Sequence, residues 1–311
     1  MTATPLIERV PNGGWDERII VCRYGRLVDV CIVVSRRYVV IVDTVINPQT
    51  AAAVLEIARE HLVDGRQLLV VNTHADFDHC WGNQLFAGDA PAYPAPIIAH
   101  RRCAEQFRSP EAAPYLAQMQ ASEPDLYADV RLTPPTLLFE DELVIDGGDL
   151  SLRLFPTFGH APDHIALHIP EISTLWVADA AEIPFPFARS LDGLPALRQS
   201  LARLAAIPAE VALYCHAPTT IGPALLRHNI AYFDTLERRC WAALARGAPS
   251  KPADDVDVVA LVGCTFDDAL PAEINSPSIH EFYRTEGHAS QLRMMLEWLG
   301  SREHHLKQGG A

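Results

Sequence analysis

The chain has 311 residues, 49% of them hydrophobic and 21% charged, and its 25 basic and 39 acidic residues leave a formal net charge of −14. That balance speaks against nonspecific binding to nucleic acid or anionic membranes, and no stretch approaches the roughly 20 apolar residues of a membrane span. The 7 cysteines are scattered and never spaced as Cys-x-x-Cys, and Met1-Thr2-Ala3-Thr4-Pro5 opens no charged-then-apolar leader, so a reduced cytoplasm is the expected compartment.

The length accommodates one large domain or two medium ones. Three β-rich runs come first, at 18–22, 28–34 and 38–42, separated by short turns that favour hairpins. From Pro48 to His61, the spacing of Ala52, Val54, Leu55, Ile57 and Ala58 predicts a helix. The apolar run Leu68 to Val71 reads as a buried strand, and Ile97 to His100 as another, followed by a helix carrying Cys103 and Phe107. Residues 109–136, rich in Pro, Ala and Asp, read as an excursion over the surface that could serve as a lid. A second β-rich block follows, with strands at 137–139, 143–145, 150–155, 164–168 and 174–178. Helix 194–207, strand 211–214 and a long helix over 223–245 come next. Residues 246–258 read as a loop, 279–299 as an amphipathic helix, and 303–311 as a frayed tail. Strands followed by helices thus occur twice, which suits two sheets packed face to face with helices outside.

The chemistry is densest between Thr73 and Asn83. His74, Asp76, Asp78 and His79 fall within six consecutive positions, directly after a predicted strand. Such a cluster is costly to hold together unless a cation neutralises it. The plain alternative is a solvated turn that happens to contain two histidines. Three more segments weigh against that alternative, each at or just beyond a strand end: Gly159-His160, Ala178-Asp179 and Cys215-His216. Side chains raised from neighbouring strand ends can converge on one rim.

With these four segments in this order, residues 15–245 resemble the metallo-β-lactamase-fold superfamily of metallohydrolases. The resemblance implies an α/β fold, a four-layer αβ/βα sandwich, with residues 1–250 as catalytic domain and 251–311 as a mostly helical extension packed on it. It implies two divalent ions, zinc foremost, with iron or manganese as alternatives. His74, Asp76 and His160 would bind the first ion and Asp78, His79 and His216 the second, with Asp179 bridging. Asp43 corresponds to an early Asp that supports the metal loop from behind.

Position 76 departs from the family pattern, which usually has His there. Two divalent ions beside Asp76, Asp78 and Asp179 leave a charge of about +1 instead of about +2, so bound water is less acidified. A carboxylate is also a harder donor, which favours iron or manganese.

The expected activity is hydrolysis of an ester, lactone, amide, thioester or phosphoester of a small molecule by hydroxide held on a dinuclear centre, with Asp78 orienting it or relaying a proton. A non-haem diiron protein with oxygen or redox chemistry is the second reading, motivated by Asp76. The third is a non-catalytic ligand-binding member of the fold. No nucleic-acid or membrane partner is expected, and self-association is compatible with the sequence.

Around the ligands, His164 and Glu182 are candidates for support, and Trp81, Phe185 and Phe187 for a pocket wall or for core. Cys80 and Cys215 are candidates for buried thiols or soft extra ligands. His100, His280 and His288 read as structural or surface residues, with His288 the one that could reach the pocket.

Overall fold

A computed structural model describes residues 6–308, and of 303–308 the backbone only. Two compact units are resolved: one runs to Pro156 and adds Pro162–Ala178 and Ala209–Gly222, and the other comprises Thr157–Ala161, Asp179–Pro208 and the chain from Pro223.

The first unit holds every strand among the described residues. Its larger sheet is built from β1 (Glu8–Arg9), β2 (Ile19–Tyr24), β3 (Val28–Val34), β4 (Tyr38–Val42), β5 (Gln67–Val71), β6 (Ile97–His100) and β7 (Leu137–Phe139), neighbours in that order. β1 to β4 pair antiparallel and β4 to β7 parallel. β3 and β4 are almost continuously apolar because both of their faces are covered, the pattern expected of central strands in a layered α/β sheet. The parallel step from β4 to β5 needs a crossover, and α1 (Pro48–Arg59) supplies it. Its start is fixed by a capping box between Asn47 and Thr50 with Pro48 in the first turn, and Ala51, Val54, Leu55 and Ala58 form its buried face.

α2 (Phe77–Cys80) is a single turn that carries the metal-loop residues, and α3 (Arg101–Phe107) leaves β6 under a cap from His100. Residues 109–136 run largely exposed, and α4 (Ala112–Ser122) and α5 (Pro124–Tyr127), which the sequence reading did not place, occupy much of the segment. Its prolines sit where helices tolerate them, Pro114 in a first turn and Pro124 at the opening position, while alanines carry the rest. Leu116, Tyr127 and Val130 are buried, which ties the segment to the core.

The smaller sheet has the order β12 (Val211–Leu213), β11 (Thr174–Trp176), β10 (Ile165–Ile169), β9 (Ser151–Pro156), β8 (Leu143–Asp146). β11 stops two residues before its predicted end, because Ala178 turns to φ +50°. Leu152, Leu154 and Leu167 from this sheet share one apolar core with Val30, Val40 and Val70 from the other.

The second unit is helical: α6 (Gly193–Ala205), α7 (Ala224–Ala245), α8 (Val258–Val262), α9 (Phe266–Ala269) and α10 (His288–Gln308). Helical structure begins at Glu281, within two residues of its predicted start, and passes through a π-turn at Tyr283–Gly287 into α10. That wider turn lets Tyr283 face Phe185 at 5.6 Å while Arg284 reaches Asp267. The helix continues to Gln308, and the rest of the tail expected to fray, 309–311, lies outside the described residues. All seven cysteines are buried thiols. Among the described residues, no helix is long and apolar enough to cross a membrane.

Candidate metal centre

In the first unit, the candidate ligands rise from the carboxyl ends of β4, β5 and β12, where open α/β sheets characteristically place their sites. Asp43 ends β4 with φ +69°, a left-handed conformation that Asp tolerates better than most residues. Its Oδ1 accepts from the Thr73 amide at 2.7 Å, and its Oδ2 accepts from Thr73 Oγ1 at 2.7 Å and from His79 Nδ1 at 2.9 Å. Because the Thr73 hydroxyl hydrogen goes to Asp43, Oγ1 is left to accept from His74 Nδ1 at 3.0 Å. Both imidazoles therefore carry their proton on Nδ1, and each presents the lone pair of Nε2.

The metal loop is locked to α1's entrance. The Thr44 amide donates to the His79 carbonyl at 2.6 Å, and a Cβ on Gly82 would lie 2.1 Å from the Thr44 carbonyl oxygen, so only glycine passes there. Thr44 Oγ1 also donates to Asn83, which exchanges two hydrogen bonds with Asn72. From the smaller sheet, the Cys215 carbonyl accepts from the Asp29 amide at 2.9 Å, which anchors the His216 loop to β3.

These constraints bring Asp78, His79 and His216 together, with one ligand atom of each within 4.8 Å of the others. Asp78 Oδ2 lies 3.7 Å from His79 Nε2 and 3.5 Å from His216 Nε2. Both distances are too long for hydrogen bonds. They match the spacing of atoms that share an ion, since two donors 2.0–2.1 Å from one tetrahedral zinc lie about 3.4 Å apart. The donor set, two imidazole nitrogens and a carboxylate, fits a divalent cation. Asp43, His79 and Cys215 also cluster, but Asp43 is already engaged with Nδ1 of His79 and with Thr73. Asp76 turns its carboxylate toward His74, with Oδ2 3.3 Å from Nε2.

In the second unit, Gly159 has φ +129°, and a Cβ there would stand 2.2 Å from the Leu197 backbone nitrogen, so α6 can pack against this turn only if it is glycine. The turn delivers His160, whose Nε2 lies 3.6 Å from Asp179 Oδ2 and whose Nδ1 lies 3.2 Å from Glu182 Oε1. Arg189 Nη2 donates to His160 Nε2 at 2.9 Å. A guanidinium only donates, so this nitrogen carries the lone pair and the proton sits on Nδ1 facing Glu182. Sequence reasoning gave no role to Arg189, since nothing in its neighbourhood marks it.

The remaining candidates fall into place around these groups. His164 is buried with its ring 5.0 Å from that of His74. Trp81 packs edge-on against Phe77 and Tyr127 in the first unit's core. Phe185 is fully buried, stacked at 4.2 Å on Tyr232 and edge-on to Phe187, which makes it a core residue of the second unit. The Cys80 thiol donates to the Asp76 carbonyl at 3.2 Å, and burial raises its pKa well above the ordinary value. Asp163 was also missed; it is 1% exposed, and burial raises its carboxyl pKa, with Asp76 adding to the rise and His74 opposing it. His288 accepts from Tyr232 and donates to the Cys264 carbonyl, each at 2.9 Å, as a neutral structural pin. His100 caps α3 and donates to the Glu140 carbonyl at 2.7 Å, while His280 accepts from the Phe282 amide at 3.2 Å.

Residues 23–216, more than half of the chain, match the family model of the metallo-beta-lactamase superfamily. The chain is 28% identical over 187 residues to a protein of Maricaulis maris named hydroxyacylglutathione hydrolase, a match covering 58% of this chain and 61% of that relative. It is 26% identical over 225 residues to a protein of the same name from Hahella chejuensis, covering 67% and 71%. Among solved structures, a metallo-beta-lactamase family protein from Thermus thermophilus aligns with a TM-score of 0.55 at 19% identity over 98% of this chain and 95% of its own. A stereoselective inverting sec-alkylsulfatase from Pseudomonas aligns with a TM-score of 0.63 at 17% identity, covering 91% of this chain and 49% of that one. These likenesses identify the fold as the αβ/βα sandwich.

Proposed function

The chain belongs to the metallo-beta-lactamase superfamily, and from that premise we propose that it is a metal-dependent hydrolase of a small acyl compound, an ester or thioester foremost. The observation that carries the reading is the convergence of His79 Nε2 and His216 Nε2 on Asp78 Oδ2, at spacings suited to a shared cation. The two relatives named hydroxyacylglutathione hydrolase support an acyl thioester as the first substrate to try. The order of the motif supports His74, Asp76 and His160 for one ion, Asp78, His79 and His216 for the other, and Asp179 between them.

When bound, such ions acidify a water molecule and polarise the carbonyl oxygen of the substrate. The residues around them set the terms. Asp43 and Thr73 fix the tautomers of His79 and His74, so that each nitrogen facing forward is a lone pair rather than an N–H. Glu182 Oε1 stands 3.2 Å from Nδ1 of His160, on the side of the ring away from Arg189. Asp78 lies close to two imidazoles and is the group we assign to orient the nucleophile and accept its proton.

Turnover of an acyl thioester, a matched oxo-ester, a lactone and an alkyl sulfate, before and after chelation, tests the proposal. Acyl hydrolysis that chelation abolishes and zinc restores is the expected result. A protein that holds its metals and hydrolyses none of the four would overturn it. A second reading, iron-based redox chemistry, is favoured by the harder donor at Asp76, and would be recognised by iron in the purified protein and consumption of oxygen.

A further inference from the structure

Asp163 stands two residues before β10 and is 1% exposed. A carboxylate is costly to bury unless donors meet it, and here backbone amides do so, its own and that of Ala75. Ala75 lies between His74 and Asp76, so the bond grips the metal loop at the link joining two candidate ligands. A second bond runs beside it in the opposite sense, because the Ile165 amide donates to the Thr73 carbonyl at 2.9 Å. Residues 163–165 thus lie along residues 73–75 like a strand partner, with the Asp163 side chain accepting where a backbone carbonyl ordinarily would. On its other side, the Thr73 amide donates to Asp43 Oδ1 at 2.7 Å. The backbone around His74 is therefore held at three points, from the end of β4 and from the lead into β10. That lead is itself fixed, as Arg102 Nη1 on α3 donates to the Pro162 carbonyl at 3.1 Å.

We propose that Asp163 is a positioning residue for the ion assigned to His74 and Asp76: by anchoring the Ala75 amide, it fixes the peptide from which both side chains leave. The inference rests on the reading of His74 and Asp76 as ligands of one ion. Asp43 sets which nitrogen His74 presents, and Asp163 sets where the ring and the neighbouring carboxylate start from. Loss of the acceptor loosens the Ala75 amide and weakens the His74-dependent ion. The ion of Asp78, His79 and His216 is spared, because His79 hangs on Thr44 and Asp43 instead. What the loop takes from Asp163 is an acceptor in a fixed place. Asn keeps an acceptor oxygen there and gives up the charge, so Asp163→Asn retains the anchor that Asp163→Ala loses.

The test compares wild type, Asp163→Ala, Asp163→Asn and His74→Ala in two readouts. In chelated protein, exchange of the Ala75 amide should quicken about tenfold in Asp163→Ala, the scale of one hydrogen bond, and stay near wild type in Asp163→Asn. In zinc titrations of the full chain against a chromophoric chelator, Asp163→Ala should bind the His74-dependent ion roughly 10- to 100-fold more weakly and the other ion as wild type does, with Asp163→Asn close to wild type for both. Equal weakening of both ions in Asp163→Ala, as a merely structural role would give, overturns the inference. So does an Asp163→Asn protein as impaired as Asp163→Ala, or Ala75 exchange that does not change. Should Asp163→Ala fail to fold, Asp163→Glu takes its place, since it keeps the charge and displaces the acceptor, and the same selective weakening is expected. His74→Ala separates the two levels of failure. If it removes no ion, the reading of the site itself fails; if it removes one while Asp163→Ala holds both at wild-type affinity, only the role of Asp163 falls.

Discussion

Asp43 decides which nitrogen of His79 faces outward, and through Thr73 it decides the same for His74. Neutral imidazole has one donor and one acceptor nitrogen, so a partner that only accepts fixes the tautomer from behind. Replacing Asp43 with Ala should leave the strands intact and weaken metal binding by roughly 10- to 100-fold, the usual cost of removing a ligand's supporting partner. Equilibrium dialysis followed by elemental analysis reads that loss, and an Asp43→Ala protein with wild-type metal affinity would mean the tautomers are set elsewhere. Gly159 makes a different kind of demand, because the Leu197 backbone occupies the place of a Cβ and φ is +129°. Gly159→Ala should cost about 3 kcal/mol or more, through clash and strain together, seen as a fall in denaturation midpoint. Little change would show that α6 can retreat from the turn.

At the scale of elements, the segment between Glu182 and Ala188 is stabilised by side-chain amides that imitate a strand partner. Gln291 on α10 accepts from the Ala188 amide at 3.2 Å and donates to its carbonyl at 3.1 Å, and Asn229 on α7 makes the same two-bond clasp on Glu182, both at 3.0 Å. Gln291→Leu strands both backbone polar groups of Ala188, so it should destabilise the fold by about 2–4 kcal/mol. It should also speed amide exchange over 184–190 while leaving β3 and β4 protected. Uniform loss of protection would mean the clasp serves global stability alone. This is also the scale at which the sequence was hardest to read. The strands from Ile19 to Val42 were legible because burial on both faces leaves unbroken apolar runs. α4 was hidden because Pro114 looks like a breaker until its place in the first turn is known. The metal-loop candidates stood out because four donors lie within six positions. Asn229, Gln291 and Arg189 had no such signal, since their partners are 47, 103 and 29 residues away and carry no local period. The π-turn at Tyr283–Gly287 likewise reflects what Tyr283 and Arg284 reach in three dimensions.

At the scale of the whole molecule, pH acts through several partly or fully buried histidines. Burial lowers the pKa of His61, His100, His168 and His288 below the ordinary 6.5. In each case the unfolded chain binds a proton that the folded chain resists, so stability is full above pH 6.5 and falls as pH drops below it. The carboxylates of Asp16, Asp149 and Glu171 are held below their ordinary values of 3.8 and 4.5 by arginine or backbone donors, so their contribution disappears only at still lower pH. Thermal melts of chelated protein between pH 8 and 5 should therefore show a decline that begins near 6.5, and His288→Gln should flatten part of it. A melting temperature constant over that range would contradict the burial of neutral imidazoles.

The central claim is that the histidines and carboxylates at the ends of β4, β5 and β12, Asp78, His79 and His216 foremost, constitute a metal centre. Elemental analysis of the protein purified without added metal, and again after exposure to zinc, iron or manganese and dialysis, tests it most directly. Two ions per chain, reduced to one or none in His216→Ala, is the result the account predicts. No stoichiometric metal under any of these conditions would contradict it, and with it the hydrolase.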